Sequence, residues 1–368
     1  MGNIPLVDLA AAHAEVAAEV ETGFKRIIAD TAFIGGAEVT AFEQEYAAFS
    51  GVGHCVGVAN GTDAIELALR AMDIGPGDEV VTAANTFVAT VEAIARTGAR
   101  TVLVDCDPAT YLIDTDAALA AITPATKAIA PVHLYGQLAP VEKLRAGTAL
   151  PIMEDAAQCQ GATRFGKGAG SGGIASTSFY PGKNLGAYGD AGAVVTDDED
   201  LARLVRTIGS HGGLAKYRHD VIGFNSRLDG LQAVVLRAKL ARLAHWNDLR
   251  RAAAARYDEL LAGLDVVTPV TLDGNEHVWH LYVVRVPGDG TPARRDAVLA
   301  ELNAAGIGAG IHYPYPVHLT PAFSGLGYGP GAFPVAEKTA TEILSLPLFP
   351  QITPEQQQRV VSVLTTAL

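Results

Sequence analysis

The sequence predicts an α/β protein with a mostly parallel sheet, followed by a smaller α+β unit. Two observations carry this. Short β-rich runs alternate with Ala/Leu-rich helical stretches between residues 54 and 158, the pattern of a parallel sheet covered by helices on both faces. A long helical stretch then leads into a different pattern of strand and helix. A chain of 368 residues, 49% hydrophobic, also exceeds what one ordinary core needs.

In chain order, HCVGVAN (54–60) reads as a strand and GTDAIELALRAMDI (61–74) as a helix, with Ile65, Leu69 and Met72 at helical spacing. DEVVTAA (78–84) is a strand, TFVATVEAIARTG (86–98) a helix and RTVLVDCD (100–107) a strand. TKAIAPVHLYG (126–136) and LPIMEDAAQ (150–158) hold two more buried strands. The helix at 227–264 carries the chain from a large domain (1–245) into a small one (246–368). There HVWHLYVVRVP (277–287) reads as a strand, TPARRDAVLAELNAAG (291–306) as a helix and PEQQQRVVSVLTTAL (354–368) as a final helix.

The formal net charge of −13 excludes a general nucleic-acid binder, which needs a basic face. A local anion site is compatible with it. The cysteines Cys55, Cys106 and Cys159 are distant and odd in number, which leaves no disulfide framework and no CxxC pair and points to a reducing cytoplasm. No secretory leader pattern opens the chain, and no apolar run is long enough for a bilayer.

One lysine is out of place. Lys183 sits in STSFYPGKNLGAYGDAGAVV (176–195), in a glycine-bounded turn between two apolar runs. Such a turn lets a side chain project into a cleft. A desolvated lysine there becomes an amine nucleophile suited to Schiff-base chemistry, most often with pyridoxal phosphate. That cofactor also wants a carboxylate on its pyridine nitrogen and donors for its phosphate. Asp155 ends the apolar strand of PIMEDAAQ, and Gln158 follows three residues later. Gly61, Thr62 and Asp63 open a helix directly after a strand, so their amides offer an anion site. Ser178 adds a hydroxyl. Each of these alone has an ordinary explanation as a loop lysine or a helix cap; their joint order along an α/β chain is what points to the cofactor.

With these residues in view, the sequence resembles the DegT/StrS family of sugar aminotransferases, within the aspartate-aminotransferase fold. The resemblance lies in NGTDAIELAL, NTFVATVEAI, VHLYGQ, EDAAQCQGA, SFYPGKNLGAYGDAGAVVT and GFNSRLDGLQAVVL, spanning roughly 33–240. It implies that Lys183 holds pyridoxal phosphate and shuttles the proton, and that Asp155 pairs with the pyridine nitrogen. Gln158 would contact the ring hydroxyl and Phe87 stack on the ring. Gly61, Thr62, Asp63 and Ser178 would bind the phosphate, joined by Asn225 from a neighbouring subunit, so the active site is shared across a homodimer. The resemblance also implies L-glutamate as amino donor, pyridoxamine phosphate during turnover, and a nucleotide-linked keto sugar as acceptor. The Tyr-Pro-x-Pro-x-His run (313–318) resembles members that aminate C-3, most closely of a dTDP-linked 3-keto-6-deoxyhexose. For the substrate pocket it nominates His312, Tyr313 and His318, and SHGGLAKYRHD (210–220) adds His211, Lys216, Tyr217, Arg218 and His219, cations and a tyrosine suited to a diphosphate and a sugar face.

A 4-keto sugar nucleotide or a keto-cyclitol remains open as acceptor, as does a non-enzymatic, cofactor-binding regulator on the same fold. Lys183 argues against the related dehydratases, which carry histidine there. GVGHCVG (51–57) lacks the third glycine of a dinucleotide fingerprint, and GATRFGKG (161–168) has Gly168 where a P-loop needs Ser or Thr. No third ligand accompanies His312 and His318, so no metal is expected.

Overall fold

The computed structural model describes residues 2–368. Its strands in chain order are β1 (His54–Val58), β2 (Glu79–Ala83), β3 (Arg100–Val104), β4 (Thr126–Ile129), β5 (Met153–Asp155), β6 (Thr163–Arg164), β7 (Ile174–Ser178) and β8 (Gly192–Thr196). Two hydrogen-bonded sets, β1-β8-β7-β5 and β3-β2-β4, are joined where Ile129 bridges Ile152 and Val132 bridges Asp155, both in parallel. The sheet therefore runs β1-β8-β7-β5-β4-β2-β3. It is mostly parallel, as expected, and β8 is antiparallel to both its neighbours. The reason is local: β7 and β8 are adjacent and joined by the turn carrying Lys183, and only an antiparallel pair needs no crossover.

β2 and β8 are buried along their whole length, which is why they read as continuous apolar or small-residue runs rather than alternating ones. The helix Gly61–Ala71 lies on this sheet and buries Ile65, Leu67 and Leu69; Asn60 caps it by accepting the Asp63 amide at 2.8 Å. The long helix is Gly230–Leu260. Its first half packs Leu236 and Leu243 against the core beneath the lysine turn. Its last turns place Ala254 and Tyr257 in a second core with Tyr282, Leu302, Leu346 and Val360.

That second core surrounds β10 (Tyr282–Arg285) and β11 (Ile343–Leu346), which are antiparallel; β9 (Asn275–Glu276) instead pairs with β6. The strand expected at 277–287 is thus much shorter. Residues 277–281 pack against the turn at 134–136 instead: Val278 N–H donates to Gly136 O at 2.9 Å, and His277 stacks on Trp279. The N-terminal segment also joins the C-terminal core, where Ile4 is buried and bridges Ile307. Among the described residues no helix is long and apolar enough to cross a membrane.

Candidate active site

Three strand ends and one turn meet at Lys183. The turn closes tightly: Lys183 N–H donates to Tyr180 O at 2.8 Å and Ala187 N–H to Phe179 O at 2.8 Å. A Cβ on Gly186 would lie 2.2 Å from Pro181 O, so only glycine closes it. The Asn184 side chain donates to Asn247 Oδ1 (3.1 Å) and Val278 O (2.9 Å). Burial pulls the pKa of Lys183 down to about 8, against the opposing pull of Asp155 and Cys159.

Asp155 ends β5, paired with Ser176 of β7, and is 4% exposed. Its Oδ2 accepts from Thr90 Oγ1 at 2.8 Å, and Thr90 in turn meets Thr86 Oγ1 at 2.9 Å. Its Oδ1 accepts the Ala157 amide at 3.2 Å. The carboxylate is thus oriented by two neutral donors, a hydroxyl and a backbone amide. Gln158 accepts the Tyr135 amide at 2.7 Å and donates to the Tyr313 hydroxyl at 3.1 Å. Phe87 is 48% exposed, and its ring lies 5.3 Å from that of Tyr313.

At the other end, Gly61 and Ser178 touch. A Cβ added to Gly61 would stand 2.5 Å from Ser178 Cβ and 2.9 Å from its Oγ, so only glycine lets this hydroxyl come so close to a helix N-terminus, where an anion is favoured. The anion-facing amides are those of Gly61 and Thr62. The Asp63 amide is committed to Asn60, and the Asp63 carboxylate pairs with Arg96 at 3.2 Å. The residues present therefore suit pyridoxal phosphate. An amine with a lowered pKa, an oriented carboxylate and a hydroxyl beside a helix N-terminus lie at one end of one sheet.

The substrate candidates separate into three groups. Tyr313 and His312 lie with Gln158 and Lys183. His312 Nδ1 meets Ser345 Oγ at 2.8 Å, and its pKa is lowered to about 4 by burial and then by the Lys183 charge. His318 does not join them. It is buried, paired with Glu337 at 3.0 Å and set edge-on to Phe333, because the short helical turn that carries it packs its histidine inward. His211, Lys216, Tyr217, Arg218, His219 and Asn225 all lie in an exposed excursion between Ser210 and Asn225. Their bonds stay local: His219 Nδ1 to His211 O at 2.8 Å and Arg218 to Asp220 at 2.9 Å.

Thr90 and His280 were not foreseen. His280 is buried, with its pKa pushed well down by burial, then by Lys183, Arg250 and His312. Its signal in the sequence is a histidine inside the apolar run VWHLYVV. A separate cavity of about 590 Å³ lies behind Ala156–Gln160 and is lined by the 161–168 segment. It contains neither Lys183 nor Asp155, so the near-P-loop is its wall and no part of this site.

Comparison with known proteins agrees with this geometry. A sequence model of the DegT/DnrJ/EryC1/StrS aminotransferase family matches residues 15–365. The chain is 46% identical to a pleiotropic regulatory protein of Geobacillus stearothermophilus, over 98% of this chain and 97% of that one. It is 44% identical to dTDP-3-amino-3,4,6-trideoxy-alpha-D-glucose transaminase of Streptomyces venezuelae, over 98% and 94%. The crystal structure of S. venezuelae DesV in complex with a ketimine intermediate superposes with a TM-score of 0.96 at 42% identity, covering 100% of this chain and 98% of that one.

Proposed function

The chain belongs to the DegT/DnrJ/EryC1/StrS aminotransferase family and is a pyridoxal-phosphate enzyme, and from that premise we propose that it moves an amino group from L-glutamate to C-3 of a nucleotide-linked keto sugar. The acceptor is a dTDP-linked 3-keto-6-deoxyhexose; the products are the 3-amino deoxysugar and 2-oxoglutarate. The observation that carries this reading is Lys183 beside Asp155 at the end of the sheet, in a chain similar over nearly its full length to a dTDP-sugar transaminase.

Bound there, pyridoxal phosphate supplies an aldehyde that captures amines and a ring that accepts an electron pair. Lys183 holds the cofactor and, when free, takes and returns the proton at Nζ, general acid–base work for which a lowered pKa suits it. Asp155, oriented by Thr90, would keep the proton on the pyridine nitrogen. Gly61, Thr62 and Ser178 hold the phosphate, with Asp63 closing the helix turn behind them. Phe87 would stack on the ring, with Tyr313 beside it, and Gln158 would meet the ring hydroxyl. Within the acceptor pocket, His312 acts as a neutral imidazole.

The working unit is a homodimer. The 210–225 excursion carries the exposed Asn225 and exposes Leu214, Tyr217 and Ile222, which supports its insertion beside a neighbouring subunit's cofactor. There His211, Tyr217, Arg218 and His219 would face the diphosphate. A division near residue 245 separates a cofactor-binding domain from a C-terminal one. The three cysteines are buried and free, which supports a cytoplasmic site of action.

The test is the absorption spectrum of the purified holoenzyme with L-glutamate alone. The visible band should collapse as pyridoxamine phosphate forms, and a dTDP-3-keto sugar should restore it. UDP- and GDP-linked keto sugars and a keto-cyclitol serve as comparators; restoration by one of these alone overturns the acceptor assignment. The similarity to a regulatory protein favours one second reading, a cofactor-binding regulator, and a band indifferent to every amino donor would select it.

A pH dependence also follows. The neutral form of Lys183 is the reactive one, and its pKa is about 8. Uptake of pyridoxal phosphate by the apoprotein should accelerate with pH through a midpoint near 8, read by stopped-flow absorbance. A rate flat between pH 6.5 and 9 would count against the lowered pKa (that window is about 1.5 below to 1 above it).

A further inference from the structure

Lys239 is a buried cation that the mechanism above does not use. It lies on the helix Gly230–Leu260 and is 4% exposed. Among the described residues it forms no ion pair with a carboxylate. Its Nζ donates to Gly186 O at 2.7 Å and stands 4.6 Å from the centre of the Tyr188 ring. A buried ammonium without a counter-charge is costly, and burial lowers its pKa to about 8. An apolar side chain would fill the same helix face at lower cost.

Its neighbours on the helix make the same kind of contact. Gln232 Oε1 accepts the Tyr188 amide at 2.8 Å, and Asn247 Oδ1 accepts from the Asn184 side chain at 3.1 Å. Residues 232, 239 and 247 follow each other at spacings that keep them towards one side of a helix. They grip residues 188, 186 and 184 in turn, and Lys183 directly precedes the last of these. Gly186 is buried, so its carbonyl has no water to fall back on. Without Lys239 the centre of the turn loses its polar anchor.

We propose that Lys239, with Gln232 and Asn247 along the same helix, is a positioning residue that sets where Lys183 stands by holding its turn through the Gly186 carbonyl, the Tyr188 amide and the Asn184 side chain. It touches neither substrate nor cofactor and acts through the Gly186 carbonyl. This rests on Lys183 being the cofactor lysine. That reading fails separately, if Lys183→Ala keeps the visible band of the wild type.

The experiment compares the wild type with Lys239→Met, which keeps the length and apolar stem and removes the donor. In the apoprotein, hydrogen exchange of peptides covering 181–188 should speed up roughly 10-fold or more, with the rest of the sheet unchanged. In the holoprotein, the pH midpoint of the visible band should move by about 0.5. kcat should fall roughly 10- to 100-fold, as a misplaced reacting group predicts, while KM for both substrates stays within about twofold. A folded Lys239→Met protein with wild-type exchange, midpoint and kcat overturns the proposal. Should Lys239→Met fail to fold, Gln232→Leu carries the same three measurements. A shift in exchange and midpoint supports the proposal, and wild-type values overturn it.

Discussion

Lys183→Ala should lower kcat by roughly 10⁴-fold, about 5 kcal/mol in the barrier, and abolish the visible band of the bound cofactor. Two losses combine. The covalent attachment disappears, because no other amine is placed to replace it: Lys239 is held by Gly186 O and the Tyr188 ring. The proton carrier at Nζ disappears as well. Cofactor binding should weaken far less than turnover, since the contacts proposed for the phosphate, from Gly61, Thr62 and Ser178, are independent of Lys183. Equilibrium dialysis against pyridoxal phosphate, alongside the glutamate-driven spectral change, separates the two. An alanine variant that still converts glutamate at a wild-type rate would remove Lys183 from the mechanism.

Asp155→Asn should cost roughly 10²- to 10³-fold in kcat, the usual scale for one preorganised electrostatic partner. The substitution preserves shape and leaves Thr90 Oγ1 an oxygen to donate to. It takes away the negative charge that would keep the pyridine nitrogen protonated. A second effect has a definite sign. Asp155 raises the pKa of Lys183 against the larger lowering by burial. Without that charge the ammonium loses a stabilising neighbour, so the pKa of Lys183 falls below about 8. The midpoint for cofactor uptake should therefore move to lower pH while turnover falls. A variant with reduced turnover and an unmoved midpoint would show that Asp155 does not sense Lys183.

The proposed cofactor end of the site stands out in the sequence because its residues lie at the ends of elements. Asp155 closes an apolar strand, Gly61 opens a helix after another, and Lys183 sits between glycines joining two more. Each position announces itself through the change of pattern around it. The end proposed for the acceptor stands out less. His318 reads as a polar loop residue like His312, only six positions away, yet one packs against Phe333 and Glu337 while the other lies near Lys183. Nothing in local composition separates them. The strand predicted at 277–287 was cut short for a related reason: its first residues bond to the turn at 134–136, far away in sequence.

By itself the sequence determined the alternation of strand and helix, the lysine turn, the capped helix after β1 and the family to which the chain belongs. These are local patterns of hydrophobic period, glycine placement and motif spacing, and short-range sterics and hydrogen bonding set them. The tertiary structure decided the rest. It gave Thr90 to Asp155, buried Lys239 under the turn that carries Lys183, and turned His318 inward. Each of these depends on which distant groups share a dry interior. There a hydrogen bond or charge is worth most and an unpaired one costs most, and no stretch of sequence contains both partners.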